Sequence, residues 1–328
     1  MKRDAVITFD YEVYLGRKTG TAENCVLKPT DKILEILKEK NAKAIFFVDA
    51  TWLLFIREHF PADFNKVAYQ LKEIEKDGSF VGLHLHPQWL DAVVKDGNIE
   101  FTSLRHYKLH SLDTDAINDL FRRGISLLEE TINRKITCFR AGGWCIEPFE
   151  TLKDAFINTG LKYDFSVVPG LVLAEGKDYD IDFSGAPQLP AYRFLASPMK
   201  PDPAGIFTEI PLSTYHNNAL LRLANKLLLK ARRDKPFGDG SGGKERSVTE
   251  KLYQRLGFST EKLSIDKTDR ILFRYLLRSK TGNSGPLVVV SHPKMSSPEA
   301  LVNLRYIATK FNTLGAEDIV KYLTEKDK

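Results

Sequence analysis

The chain opens on a β-rich run, Ala5-Val6-Ile7-Thr8-Phe9-Asp10, and segments of that kind recur with room for a helix between them. Ala42 to Asp49 is a continuous apolar run, the pattern of a strand buried on both faces. Phe80 to Leu85, Lys135 to Phe139, Tyr163 to Val167 and Pro286 to Ser291 read as further strands. Between them apolar residues fall at helical spacing: Ile33, Leu34, Ile36 and Leu37 after Pro29, then the stretches Trp52 to His59 and Phe64 to Lys76. A long helix over Asp113 to Asn133 carries Ile117, Leu120, Phe121, Ile125 and Leu128, and Pro148 to Asn158 is another. Asp91 to His110 reads as irregular around an Asp96-Gly97-Asn98 turn, and Pro169 to Ser213 is Pro- and Gly-rich with short β segments such as Ile206 to Pro211. Pro298 to Lys310 (helix), Phe311 to Leu314 (strand) and Glu317 to Leu323 (helix) close the chain. Strand and helix alternating on this scale predict parallel βα units.

One segment departs from that pattern. His216 to Gly285 holds sixteen Lys and Arg against seven Asp and Glu, an excess of nine that outweighs the net +5 of the whole protein. Its helix, Leu220 to Arg233, puts Leu220, Leu223, Ala224, Leu227, Leu228 and Ala231 on one broad stripe, with basic residues largely flanking it. Gly238 to Gly243 reads as a flexible loop. The segment is expected to be a basic, mainly helical insertion (216–285) within a single barrel domain spanning 1–328, its helix packed on the barrel with the basic face in water. The alternative is that it brings the site to a phosphate-bearing substrate, or makes peripheral contact with an anionic membrane.

Bulk properties narrow this picture only a little. At 328 residues, 43% hydrophobic and 28% charged, the chain is long enough for one large α/β barrel. Three cysteines without C-x-x-C spacing read as buried, reduced thiols of a cytoplasmic protein, and the residues after Met1 enter a strand with no apolar run of signal-peptide length. A charge of +5 is too mild to imply nucleic acid.

The chemistry collects at strand ends. His84 and His86 are two apart in Gly82-Leu83-His84-Leu85-His86-Pro87, so they share a face, opposite Leu83 and Leu85. Asp10 and Glu12 share a face in the same way, Arg140 follows the strand ending at Phe139, and His292 follows Ser291. In a parallel barrel those ends converge on one face. Two imidazoles with a carboxylate from Asp10 or Glu12 make a divalent-metal set with open positions, zinc being the first choice. Asp10 is then a candidate general base paired with Arg140, and His292 a candidate general acid.

That order of motifs resembles the polysaccharide deacetylase family, metal-dependent hydrolases on a distorted (β/α)7 barrel. Thr8-Phe9-Asp10-Tyr11-Glu12 is similar to its Thr-Phe-Asp-Asp motif, His84-Leu85-His86-Pro87 to its His-containing motif, Phe139-Arg140-Ala141-Gly142 to its Arg-x-Pro segment, and Val289-Val290-Ser291-His292 to its last. The sequence departs at Tyr11, where the family has a second Asp, at Gln88, where it has a second His, and at Gly142, where it has Pro; Glu12 and His86 compensate locally. The resemblance, over residues 1 to about 213 and 286 to 328, implies a hydrolase removing an N-acyl group, an acetyl first of all, from an amino sugar. Its expected substrate is a soluble, lipid-linked or nucleotide-linked saccharide of surface-polysaccharide synthesis. The rivals are a hydrolase of another C–N bond, such as a formamide or ureide, and a non-catalytic carbohydrate-binding barrel that has lost its ligands.

Overall fold

The computed structural model describes residues 2–16, 18–103, 106–174, 180–242, 259–279 and 285–319. In chain order the strands are β1 (Arg3–Tyr11), β2 (Ile45–Asp49), β3 (Phe80–Leu85), β4 (Ala92–Lys95), β5 (Asn98–Phe101), β6 (Cys138–Ala141), β7 (Tyr163–Asp164) and β8 (Val172–Ala174). They continue with β9 (Asp180–Asp182), β10 (Tyr192–Phe194), β11 (Phe207–Glu209), β12 (Thr214–Asn217), β13 (Ser259–Lys262), β14 (Leu287–Ser291) and β15 (Phe311–Thr313). The first six helices are α1 (Lys28–Lys40), α2 (Ala50–His59), α3 (Pro61–Lys76), α4 (Thr114–Ile132), α5 (Lys153–Thr159) and α6 (Ala219–Ala231); Arg270–Ser279 and Pro298–Lys310 follow.

A nine-stranded sheet in the order β10-β11-β7-β6-β3-β2-β1-β14, with β15 also paired to β1, curls into the expected distorted barrel of the (β/α)7 kind. Every pairing in it is parallel except β10 with β11. Parallel strands need crossovers, and the helical periods between them supply these. Ala5 to Tyr11 and all of β2 are buried, as continuous apolar strands in a doubly covered sheet must be. Asn41 and Asn133, both in the left-handed conformation, terminate α1 and α4 where their sequence patterns end.

Three expectations are corrected. Asp91 to His110 is not merely irregular: β4 and β5 form an antiparallel hairpin about the Asp96-Gly97 turn. Gly238 to Gly242 is no flexible loop, because Asp239 accepts hydrogen bonds from Thr21 N (2.9 Å), Thr21 Oγ1 (3.0 Å) and Asn24 Nδ2 (3.0 Å), and Ser241 N donates to Lys18 O (2.8 Å). A Cβ on Gly240 would lie 2.4 Å from the Tyr14 ring and 2.8 Å from Lys18 O, so only glycine lets this strap lie flat there. The apolar stripe of α6 is not packed on the barrel either; no residue of that helix is buried. The closing helix beyond Ile319 lies outside the described residues, whereas the three cysteines are free and buried, as expected.

Candidate active site

The carboxyl ends of β6, β3, β2, β1 and β14 follow one another along the sheet, so their registers decide what meets what. Alternation along β1 sends Asp10 and Glu12 to the site and Tyr11 the other way, where its hydroxyl donates to Gln70 Oε1 in the core (2.8 Å). Tyr11 is therefore a packing residue on the opposite face of the strand. Register also sets His84 beside Asp49 on β2 and beside Arg140 on β6.

Arg140 is fully buried and spends its guanidinium on three neighbours. It donates to Asp10 Oδ1 (2.5 Å), Thr8 Oγ1 (2.9 Å) and the Phe165 carbonyl (3.1 Å), while its Cζ lies 4.3 Å from the Phe47 ring centroid. Burial alone would raise the Asp10 pKa, but Arg140 first, then His292 and His84, outweigh it and hold the carboxyl below its ordinary value. Asp10 is thus ionised with one oxygen tied to Arg140. The other, Oδ2, faces His292 Nε2 at 3.4 Å.

The imidazoles are oriented from behind. His84 Nδ1 lies 2.7 Å from the Arg140 carbonyl, which can only accept, so that nitrogen carries the proton and Nε2 presents its lone pair. His84 Nε2 is 3.1 Å from His86 Nε2 and 3.6 Å from Glu12 Oε2, and His86 Nε2 is 2.6 Å from the same oxygen. Gly142 explains its own departure from proline: a Cβ there would sit 2.3 Å from the Leu85 carbonyl and 2.7 Å from His86 Nδ1. The missing side chain is what lets the His86 ring seat against β6.

These three atoms fit a divalent cation. Zinc ligands at about 2.0–2.1 Å in a tetrahedron stand about 3.3 Å apart; two of the three separations here, 3.1 and 3.6 Å, lie near that value, and the 2.6 Å between His86 and Glu12 would have to widen. Glu12 Oε2 is buried and faces the two imidazole nitrogens. The field also favours positive charge: burial works against His84 protonation, yet Glu12 and Asp10 outweigh it and raise its pKa. A second grouping, Asp10, Glu12 and His292, overlaps the first at Glu12, and one Asp10 oxygen is already tied to Arg140.

Three participants escaped the sequence reading. Asp266 Oδ2 faces His292 Nδ1 at 2.8 Å, and its Oδ1 accepts from Ser291 Oγ (2.7 Å). Lys294 Nζ donates to Glu12 Oε1 (3.0 Å) and the Val13 carbonyl (2.9 Å). Burial would raise the Glu12 pKa, but Lys294 and then His86 bring it well below the ordinary value. Asp49 caps α2 through Thr51 N and Trp52 N (both 3.2 Å) and also receives His86 N at 3.4 Å. Lys294 stands two residues past His292, so adjacency was its only signal. Gln88, by contrast, is a buried residue past the end of β3.

Residues 1–147 match the sequence profile of the family described as Polysaccharide deacetylase. No curated protein sequence matches the chain. Among solved structures, a protein from Mycobacterium smegmatis assigned as a polysaccharide deacetylase superposes with a TM-score of 0.52 at 16% identity, over 99% of this chain and 92% of its own. A peptidoglycan deacetylase from Bacillus subtilis gives 0.43 at 10% identity over 99% and 93%, and a family 4 carbohydrate esterase pseudoenzyme from Bacillus anthracis gives 0.42 at 13% over 97% and 65%. The first likeness carries the fold alone. The resemblance read from Asp10, Glu12, His84, His86 and Arg140 therefore holds: the 147 residues that contain them match the polysaccharide deacetylase family.

Proposed function

We propose that the protein is a metal-dependent hydrolase that removes an N-acetyl group from an amino sugar within a saccharide or saccharide precursor. The observation that carries this reading is the convergence of Glu12 Oε2, His84 Nε2 and His86 Nε2 beside an Arg140-paired Asp10 and an Asp266-paired His292. In this assignment Glu12, His84 and His86 hold the cation and Asp10 does not. A bound divalent ion would supply Lewis acidity toward the amide carbonyl and a more acidic water.

The remaining work falls to side chains. Asp10 Oδ2, held ionised, takes the proton from the attacking water. Asp266 accepts from the His292 Nδ1–H and keeps Nε2 aimed into the site, 3.4 Å from Asp10 Oδ2. When the C–N bond breaks, protonated Nε2 gives its proton to the departing amine, and the proton on Asp10 can return across that short gap. Acetate and the free amine leave. Lys294 holds Glu12 by its other oxygen and keeps Oε2 turned toward the imidazoles.

A lipid- or nucleotide-linked saccharide fits this reading, as does a soluble oligosaccharide. The test is acetate release from N-acetylated amino sugars presented free, nucleotide-linked and lipid-linked, with and without a chelator. Chelator-sensitive release from one class is the expected result; no release from any, with metal bound, would overturn the substrate assignment. The second reading, a carbohydrate-binding barrel, draws on Lys294, whose ammonium already neutralises Glu12. It requires that the purified protein carry no metal.

A further inference from the structure

The amphipathic helix α6 is mounted the wrong way round for a helix that packs on a core. Leu220, Leu223 and Leu227 lie along one face and are 77%, 54% and 57% exposed. Ala224 and Ala231 continue that exposed stripe. The opposite side carries the polar anchors: Asn225 Nδ2 donates to the Lys267 carbonyl (2.7 Å), Asn225 Oδ1 accepts from Asp269 N (2.8 Å), and Arg232 Nε donates to Asp269 Oδ2 (2.5 Å). Leu221 and these polar side chains hold the helix to the protein, while Leu220, Leu223 and Leu227 face water, so an apolar stripe is left uncovered on the outer side.

The charge beside the stripe is one-sided. From Arg222 to Lys235 there are six basic residues and one acidic, Asp234. Lys226, Lys230 and Arg233, all exposed, run along one flank of the leucines. No helix among the described residues is long and apolar enough to cross a membrane. An apolar stripe flanked by lysines is the surface of a helix that lies in the plane of a bilayer, its leucines among the acyl chains and its cations at the headgroups. A second copy of the chain is a poorer occupant, because a face-to-face pair would bring two such cationic flanks together.

We propose that α6 docks the protein on an anionic lipid surface. The helix is joined to the rim of the site. Gly238, seven residues past its end, packs so closely on the Lys294 carbonyl that a Cβ would lie 2.4 Å away, and Asp269, which anchors Arg232, is three residues from Asp266. Docking would bring the mouth of the barrel near the bilayer. The proposal concerns this surface alone and stands whether or not the hydrolase reading does.

The experiment is co-sedimentation of the full chain with phosphatidylcholine vesicles, with and without phosphatidylserine, at low and high salt. Two variants accompany it: Leu220→Ser/Leu223→Ser/Leu227→Ser, and Lys226→Gln/Lys230→Gln. All five side chains are exposed or flank the stripe, so circular dichroism should be unchanged. Binding to the anionic vesicles alone is expected, weakened by salt. The lysine pair should cost about 30-fold in affinity and the leucine triple at least as much. Equal or negligible binding to both vesicle types would overturn the proposal, and so would anionic binding that both variants retain. A concentration-dependent dimer that the leucine triple abolishes, without vesicle binding, would assign the face to a second copy and overturn it too.

Discussion

The two walls of the site are built by different means. On one, Asp10, Glu12, His84, His86 and Arg140 leave the parallel strands β1, β3 and β6 at or just past their ends, and strand register brings them to one face. On the other, His292 and Lys294 follow β14, but Asp266 comes from a loop between β13 and the helix Arg270–Ser279. The first wall gathers donors for a cation around a fully buried arginine. The second handles protons, and it depends on one carboxylate, Asp266, gripping both Ser291 and His292. If that division is right, the walls should fail separately: damage to the proton-handling groups should stop turnover and leave the metal in place.

The largest effect is expected at Asp10, where the two walls meet. Asp10→Asn keeps an oxygen for Arg140 but cannot take a proton, so kcat should fall by about 10⁴-fold with metal content unchanged. Metal lost along with activity would mean that Asp10 is a ligand and would erase the division. His292→Ala should cost about 10²- to 10⁴-fold in kcat, again with metal retained; an unchanged rate would remove it from the chemistry. Asp266→Asn should cost less, about 10- to 100-fold. An unchanged rate would remove Asp266 from the positioning of His292.

The smallest effect separates Asp10 from another buried acid pair. Asp164 and Glu209 face each other across β7 and β11, with Ser166 Oγ donating to Asp164 Oδ1 (2.6 Å) and Val167 N to Glu209 Oε1 (3.1 Å). Burial and then the mutual repulsion raise Glu209 well above the ordinary value, and burial raises Asp164. Asp10 is kept charged by Arg140, whereas this pair keeps a proton. A raised folded-state pKa contributes stability that is full below the unfolded value, about 4.3 for Glu, and is lost as pH climbs through the folded value. Glu209→Gln should therefore flatten the decline in Tm between weakly acidic and alkaline pH. A decline as steep as the wild type's would mean that Glu209 is already ionised in the folded state.

The difference between the walls also accounts for what could be read from the sequence. His84 and His86 were legible because a period of two puts them on one face, and the barrel follows from the same strand–helix alternation. Asp266 was hidden because its surroundings read as a basic block, and the charge excess over His216 to Gly285 obscured an acid that reaches the site. The outward stripe of α6 was equally invisible: periodicity reveals that a helix has two faces, and only tertiary anchors such as Asn225 and Arg232 decide which faces the protein. The strap at Gly238 to Gly242 looked flexible by composition, yet its glycines answer to close contact with Tyr14, Lys18 and Lys294.

The central claim is that the first wall binds a divalent ion through Glu12, His84 and His86. It is tested most directly by metal analysis of the wild type and of His84→Ala/His86→Ala, each purified, exposed to zinc and exhaustively dialysed. About one ion per wild-type chain and almost none in the double variant is the predicted result, since zinc needs three protein ligands at such a site. A metal-free wild type, or a double variant that keeps its full complement, would contradict it.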